Sequence, residues 1–355
     1  MLCIPPGLIP SQMLYTSVMS YRVKILPRNI TLTVAPHETI LEAAMAQGFR
    51  FPYGCDAGNC FVCAGSLESG TLNITTNDKQ IRANDNEADD VLFCLAQPRS
   101  DCSIFIEGVL APGEHKMINA SCQATNITPM GNDTIEAVLR LPAGKKIDFH
   151  PGQYLQVILD KETECAFSIA NIPNKERTLQ LYIGFSDKDE RSRRLRKAFT
   201  VGNVVNISLP HGNCYLKNPE STAPLFLVAG STGISQIKSI AEQCVSAQTH
   251  RQVFIYWGTR TADELFLNDF FLNMAKENNN IHYTPVISEP DTAWQDRTGF
   301  VHKAMLEDHN VSDDAEIILC GSPGMAYAVL DDLLATGIKE HQVQSDVFDY
   351  APRNS

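Results

Sequence analysis

With 355 residues, 44% of them apolar and 20% charged, the chain exceeds what one hydrophobic core usually supports and reads as two or three soluble globular domains. A net charge of −12 provides no basic field for unspecific nucleic-acid binding, and no apolar run approaches the length of a membrane span. The eleven cysteines form no disulfide framework: four are grouped and the rest are scattered, which suits a reducing, cytoplasmic compartment.

In chain order, residues 1–19 are apolar and carry Pro5, Pro6 and Pro10, with no Lys or Arg before Arg22. Lacking a charged first region, the stretch reads as a disordered extension, with Met19 as an alternative start, rather than a signal peptide. A first domain spans 20–112. Tyr21 to Val34 predicts two short strands around Pro27-Arg28-Asn29, and Glu38 to Gly48 predicts a helix ending on a glycine suited to its C-terminal cap. The segment Tyr53 to Cys63 then packs Cys55, Cys60 and Cys63 among glycines, and Cys94 follows after a gap. The spacing C-x4-C-x2-C…C is that of a 2Fe-2S cluster site, whereas a lone C-x2-C would equally suit zinc. Gly54, Gly58 and Gly65 allow backbone N–H groups to approach the sulfurs. The acids Asp85, Glu87, Asp89 and Asp90 read either as a solvated loop or as the rim where a redox partner docks.

Pro112-Gly113 ends this domain. A second, 116–218, shows six strand-like segments: Met117 to Ile127, Thr134 to Leu141, Tyr154 to Leu159, Phe167 to Ile172, Leu179 to Phe185 and Val204 to Leu209. One helix, Arg191 to Ala198, interrupts them, and the pattern suggests a small antiparallel barrel. In the third, 222–355, Leu225 to Ala229 is a continuous apolar run of the kind found in a parallel strand covered on both faces. Gly230-Ser231-Thr232-Gly233 follows, then a helix through Cys244. Strands at Val253 to Trp257, His282 to Ile287, Ile317 to Cys320 and Val343 to Phe348 alternate with helices at Ala262 to Lys276, Val301 to Leu306 and Met325 to Leu334, which points to a doubly wound parallel sheet. Between a buried strand and a helix, the glycine turn gives the close backbone approach that a pyrophosphate needs.

The cysteine loop resembles that of plant-type 2Fe-2S ferredoxins, and the remainder resembles flavin reductases of the ferredoxin reductase superfamily. Together they resemble the iron-sulfur flavoprotein reductases that serve oxygenases and the CDP-6-deoxy-glucoseen reductase group. The resemblance implies a β-grasp ferredoxin domain, a flavin-binding barrel and a nicotinamide domain, that is, a multidomain α+β and α/β architecture. It implies the path NAD(P)H to flavin, flavin to cluster, and cluster to a one-electron acceptor protein. Cys55, Cys60, Cys63 and Cys94 would hold the cluster. In the family's R-x-[FY]-S segment the aromatic packs on the flavin, the hydroxyl reaches N5 and the arginine holds phosphate; Phe167 and Ser168 match, but Cys165 stands at the arginine position, and a thiol cannot grip phosphate as a guanidinium does. Ser192 and Arg193 at the start of the interrupting helix are the candidate replacements for binding FAD, against a reading as a plain solvated face. Gly230, Thr232 and Gly233 match the G-G-T-G turn except at Ser231. Cys320 and Gly321 match the C-G-x-P segment beside the nicotinamide, and Arg260 lies where the adenosine ribose is read, with NADH or NADPH left open. Phe348 and Tyr350 fall where relatives bring terminal residues toward the flavin. The resemblance gives catalytic roles to Ser168 and Cys320. The alternatives are a reductase that releases free flavin, with FMN or a loosely bound flavin in place of FAD, and a non-enzymatic carrier or redox sensor.

Overall fold

The computed structural model describes residues 20–131, 133–144, 148–186, 190–290 and 292–353. The extension expected over 1–19 lies outside the described residues. The chain divides between Glu114 and His115 into two compact units.

In the first unit the strands are β1 (Tyr21–Leu26), β2 (Ile30–Val34), β3 (Ala64–Ser69), β4 (Thr71–Ile74), β5 (Lys79–Arg82), β6 (Val91–Leu92), β7 (Ala96–Pro98) and β8 (Cys102–Phe105), with helix α1 (Ile40–Ala46) after β2. A five-stranded sheet runs β2-β1-β8-β3-β6, and β5-β4-β7 form a second, smaller one. β1 pairs antiparallel with β2 and parallel with β8. Helix α1 forms because Thr39 caps it reciprocally with Glu42, while Ile40, Leu41, Ala43 and Ala44 are buried on the sheet side. Its start is tied to the region of the last cluster cysteine by Leu41 N–H donating to the Phe93 carbonyl at 3.1 Å.

The second unit begins with β9 (Ile118–Pro129), β10 (Thr134–Arg140), β11 (Tyr154–Ile158), β12 (Glu164–Ser168), β13 (Thr178–Gly184), helix α2 (Glu190–Ala198) and β14 (Val204–His211). These strands form one antiparallel six-stranded sheet, β12-β11-β14-β9-β10-β13. Its ends meet where Ala170 N–H donates to the Gln180 carbonyl at 2.8 Å, which closes the sheet toward a barrel. The strand expected at Phe167 to Ile172 lies earlier, at Glu164–Ser168, because Ile169 and Ala170 leave the ladder to donate to Gln153 and Gln180.

The parallel sheet follows: β15 (Leu225–Gly230), α3 (Ile234–Ser246), β16 (Val253–Thr259), α4 (Asn268–Glu277), β17 (Ile281–Ile287), β18 (Arg297–Thr298), α5 (Val301–Asp308), β19 (Glu316–Cys320), α6 (Pro323–Ala335), β20 (Val343–Gln344) and α7 (Val347–Tyr350). Its order is β18-β17-β16-β15-β19-β20. β15 is central and buried over Leu225 to Ala229, as its unbroken apolar run requires. The helix expected over Ala262 to Lys276 is divided into a 3-10 turn at Ala262–Glu264 and α4, and the strand expected over Val343 to Phe348 is a two-residue strand followed by α7.

The barrel and the parallel sheet are joined by polar groups of α3. Gly152 N–H donates to Ser239 Oγ at 2.9 Å, and Gln236 Nε2 donates to the Gly152 and Cys214 carbonyls at 2.7 and 3.0 Å. Lys238, buried, donates to the Ala170 carbonyl and to Gln180 Oε1, both at 3.0 Å, and is ion-paired with Glu242. A buried ammonium is tolerated only when its donors are matched in this way. Among the described residues no helix is long and apolar enough to cross a membrane.

Candidate functional site

Three groups of predicted residues gather at three places. The first is the cysteine loop. Cys55 and Cys60 sulfurs lie 3.2 Å apart. The antiparallel pairing of Ala64–Gly65 with Leu92–Val91 and the bond from Phe93 N–H to the Cys63 carbonyl bring the end of β6 beside Cys63, so that Cys63 and Cys94 form a second pair. Backbone N–H groups of Ala57, Asn59 and Cys60 point at the Cys55 sulfur, and that of Gly58 at Cys94. Contact with Cys60, reinforced by those amides, lowers the Cys55 thiol to about 7; burial, then the Cys63 contact, pushes Cys94 up to about 11. Gly58 takes φ +75°, which lets its amide face inward. Gly65 is needed for a different reason: a Cβ there would stand 2.7 Å from the Phe93 ring and strike the Phe105 carbonyl. Among the described residues no three metal-binding side chains converge on one point as the ligands of a single ion would. Two thiol pairs with inward amides fit a two-iron, sulfide-bridged cluster.

The second place is the junction of β12 and β19. Ser168 at the end of β12 and Cys320 at the end of β19 are hydrogen-bond partners, so two residues from distant strands meet across the barrel and the parallel sheet. Burial, then the nearby Asp346 carboxylate, raises the Cys320 thiol well above its ordinary range, with Ser168 opposing, and the sulfur stays protonated. Asp346 precedes α7 and accepts from Asn213 N–H at 3.1 Å, Cys214 N–H at 3.3 Å and Gln236 Nε2 at 3.1 Å. Burial outweighs those bonds and raises its carboxyl to about 6. Tyr350, largely exposed, lies close to Cys320 and Asp346, whereas Phe348 packs on Tyr327 with ring centroids 5.5 Å apart. Asp346 was not legible as a site residue, since its partners lie far off in the sequence.

Nearby, Phe167 packs edge-on against Phe199 at 6.3 Å, and Cys165 is buried within the barrel core. Ser192 is buried and accepts from Ser186 N–H at 3.1 Å. Arg193 is exposed and donates to Glu190 through Nε at 2.9 Å; Arg194 pairs with Asp160, and Arg196 lies 4.2 Å over the Phe185 ring. Ser168 and Ser192 supply polar groups, and Phe167 a ring, of the kinds a flavin requires, and the basic helix α2 supplies cations.

The third place is a pocket of about 1110 Å³ at the carboxyl ends of β15, β16 and β19. Gly230, Thr232 and Arg260 line it. Gly233 and Gly321 do not: a Cβ on Gly233 would fall on the Cys320 backbone, so this glycine lets the turn close on β19, while Gly321 lies under the Met325 side chain. Ser231, in place of the family's glycine, takes φ +49°, and its carbonyl accepts from Trp257 Nε1 at 2.9 Å. Sequence reasoning missed Phe300 and Glu264, which also line the pocket, together with Ser322 and Met325 of the segment that begins at Cys320. Ser322 caps α6, with Pro323 at its first turn.

Fold and site together describe an electron-transfer reductase that takes reducing equivalents from a nicotinamide. Residues 23–99 match the model of a 2Fe-2S iron-sulfur cluster binding domain, and residues 227–331 that of an oxidoreductase NAD-binding domain. The chain is 30% identical over 330 residues to the CDP-6-deoxy-L-threo-D-glycero-4-hexulose-3-dehydrase reductase of Yersinia pestis, covering 93% of this chain and 99% of that one. It is 35% identical over 210 residues to a probable flavin reductase of Photobacterium leiognathi, covering 58% of this chain and 89% of that one. Its fold matches that of the Amycolatopsis cytochrome P450 reductase GcoB with a TM-score of 0.63 at 22% identity, over 92% of this chain and 98% of that one. The chain belongs to the family of iron-sulfur flavoprotein reductases, oxidoreductases that pass electrons from NAD(P)H through a flavin and a 2Fe-2S cluster.

Proposed function

We propose that electrons enter at the β15–β19 pocket, cross at the Ser168–Cys320 junction and leave from the cysteine loop to a separate one-electron acceptor, an oxygenase or a dehydratase. The observation that carries this reading is the junction itself: strands from two sheets place a hydroxyl and a protonated thiol together beside a nucleotide-sized pocket. When bound, a flavin accepts the two electrons of a hydride together and releases them singly, as a cluster-dependent acceptor requires. The chain's own residues position and shield. The Ser168 hydroxyl offers a hydrogen bond at the end of β12, and Cys320, neutral at physiological pH, provides a soft wall for a nicotinamide ring without acting as a nucleophile. Phe167, Ser192 and a cation of α2, with Arg193 the first candidate, would hold the flavin. Gly230, Thr232, Gly233, Gly321 and Arg260 would shape the nicotinamide nucleotide's site. Cys55 with Cys60, and Cys63 with Cys94, would each hold one iron. We place the protein in the cytoplasm, a reading supported by cysteines that, among the described residues, form no disulfide.

Purification supplies the first test: flavin absorption co-eluting with that of the cluster supports the relay. Replacing Cys60 with Ser should abolish cytochrome or dye reduction while NAD(P)H-dependent flavin reduction continues; survival of both activities would remove the cluster from the path. A second reading, release of free reduced flavin, is favoured by the thiol of Cys165 at the arginine position and by the similarity to the Photobacterium protein. A preparation with cluster but no flavin, turning over only with added flavin, would establish it instead.

A further inference from the structure

Helix α3 reaches both halves of the Ser168–Cys320 junction. At its start, Gly233 lies so close to the end of β19 that a Cβ would stand 2.4 Å from the Cys320 carbonyl oxygen. Further along, Lys238 and Glu242, one turn apart, hold the backbone that leaves β12 after Ser168. Lys238 Nζ donates to the Ala170 carbonyl at 3.0 Å, and Glu242 Oε2 accepts from Ile172 N–H at 3.3 Å. The other two ammonium protons go to Gln180 Oε1 at 3.0 Å and to Glu242 Oε1. Gln180 in turn accepts at its carbonyl from Ala170 N–H at 2.8 Å and donates its own N–H to Asn171 Oδ1 at 2.6 Å. Residues 170, 171 and 172 are thus each tied to this one cluster.

We propose that Lys238 and Glu242 are positioning residues of the electron-transfer site, which hold Ser168 in register with Cys320. The inference rests on the reading of that junction as the place where flavin and nicotinamide meet, and deepens it by naming what sets its geometry. β12 ends its sheet, paired with β11 alone, and that ladder stops at Ser168. Beyond it the chain is placed by the α3 cluster and by Ile169 N–H donating to the Gln153 carbonyl. A buried ammonium is costly, and an apolar side chain would fill the same space more cheaply. What the ammonium adds is direction: its three protons need acceptors at fixed angles, so it specifies where the Ala170 carbonyl sits. Gly233 and Lys238 are five residues apart on the helix, about 7.5 Å along its axis. One rigid element therefore sets the separation between the two halves of the junction.

The test uses the purified full-length protein at a temperature where calorimetry shows each variant folded. Titrating flavin-free protein with FAD, followed by flavin fluorescence, gives an affinity without turnover. Single-turnover absorbance at saturating NAD(P)H gives the rate of flavin reduction, and 5′-AMP binding reports on the nucleotide site. Lys238→Met should weaken FAD binding by up to about tenfold, the worth of one displaced hydrogen bond, and slow reduction by roughly tenfold or more, with 5′-AMP affinity unchanged. Because Lys238 acts through Ser168, adding Lys238→Met to Ser168→Ala should cost little beyond Ser168→Ala alone. Glu242→Gln, the gentler change, should show the same dependence on Ser168 on a smaller scale. Arg251→Met removes another buried cation, one tied to Ala223, Pro224 and Glu316 at the amino ends of β15 and β19, and should leave both flavin readouts as in the wild type. Losses that multiply in the double variant, flavin readouts unchanged in both Lys238→Met and Glu242→Gln, or equal losses in Arg251→Met overturn the proposal. Ser168→Ala without effect would overturn the reading of the junction, and this proposal with it.

Discussion

Replacing Asp346 with Asn should change how the stability of the second unit depends on pH. Asp346 is raised from an ordinary 3.8 to about 6, chiefly by burial. A carboxyl that is more basic when folded binds its proton more tightly in the native state, so it favours folding at low pH. This contribution is lost as pH rises through 6, and the full gap corresponds to about 3 kcal/mol. One pH unit below the folded value, at pH 5, about 1.4 kcal/mol is recovered relative to pH 7.5. In a unit of this size that is a change of roughly 3–6 °C in Tm. Asn does not titrate and can still accept from Asn213 and Cys214 through Oδ1, though its amide would face Gln236 Nε2. The quantity to follow by calorimetry is the Tm of Asp346→Asn minus that of the wild type, measured from pH 5 to 7.5. It should rise with pH by those degrees, because only the wild type is penalised as Asp346 ionises. A difference that is flat across the range would show that the tie between α7 and the barrel holds an ordinary aspartate, and the burial argument would fail.

Lys238→Met should cost about 3–5 kcal/mol, because Glu242, the Ala170 carbonyl and Gln180 lose a buried donor; Lys238→Met with Glu242→Gln should recover part of it in denaturant titrations. Gly233→Ala should weaken binding of 5′-AMP by more than about tenfold, since the new methyl must displace either the turn or the end of β19; undiminished binding would refute the close approach. Ser168→Ala should slow reduction by NAD(P)H by roughly ten- to a thousandfold at saturating nucleotide, with nucleotide affinity little changed, as read by single-turnover absorbance.

The cysteine loop and the β15 turn were legible because their chemistry fixes residue type and spacing together. Sulfide bridges demand thiols at set intervals, and a strand covered on both faces must be apolar without interruption. The short strands between Ala64 and Pro98 were not legible, since two to six residues of mixed polarity carry no periodic signal and depend on partners elsewhere. Lys238 points inward because acceptors from residues 170 and 180 wait there, a long-range fact with no local trace in the sequence. Glu264 escaped because nothing in its local sequence marks it as a pocket residue; its place there follows from the 3-10 turn at Ala262–Glu264 after β16. Val343 to Phe348 has the composition of a strand, but the run stops at Gln344, and Asp346 beyond it turns aside to meet the barrel loop.

The boundary between Glu114 and His115 coincides with a division of the hydrophobic cores. The buried cluster of the first unit draws on residues from Val23 to Val109, and those of the second begin at Ala120. Among the described residues these clusters share no side chain, so a substitution inside the one leaves the packing inside the others as it was. For protein engineering this makes the peptide after Glu114 a point of exchange: a foreign cluster-bearing segment grafted there leaves the interior of the nucleotide-handling unit unchanged.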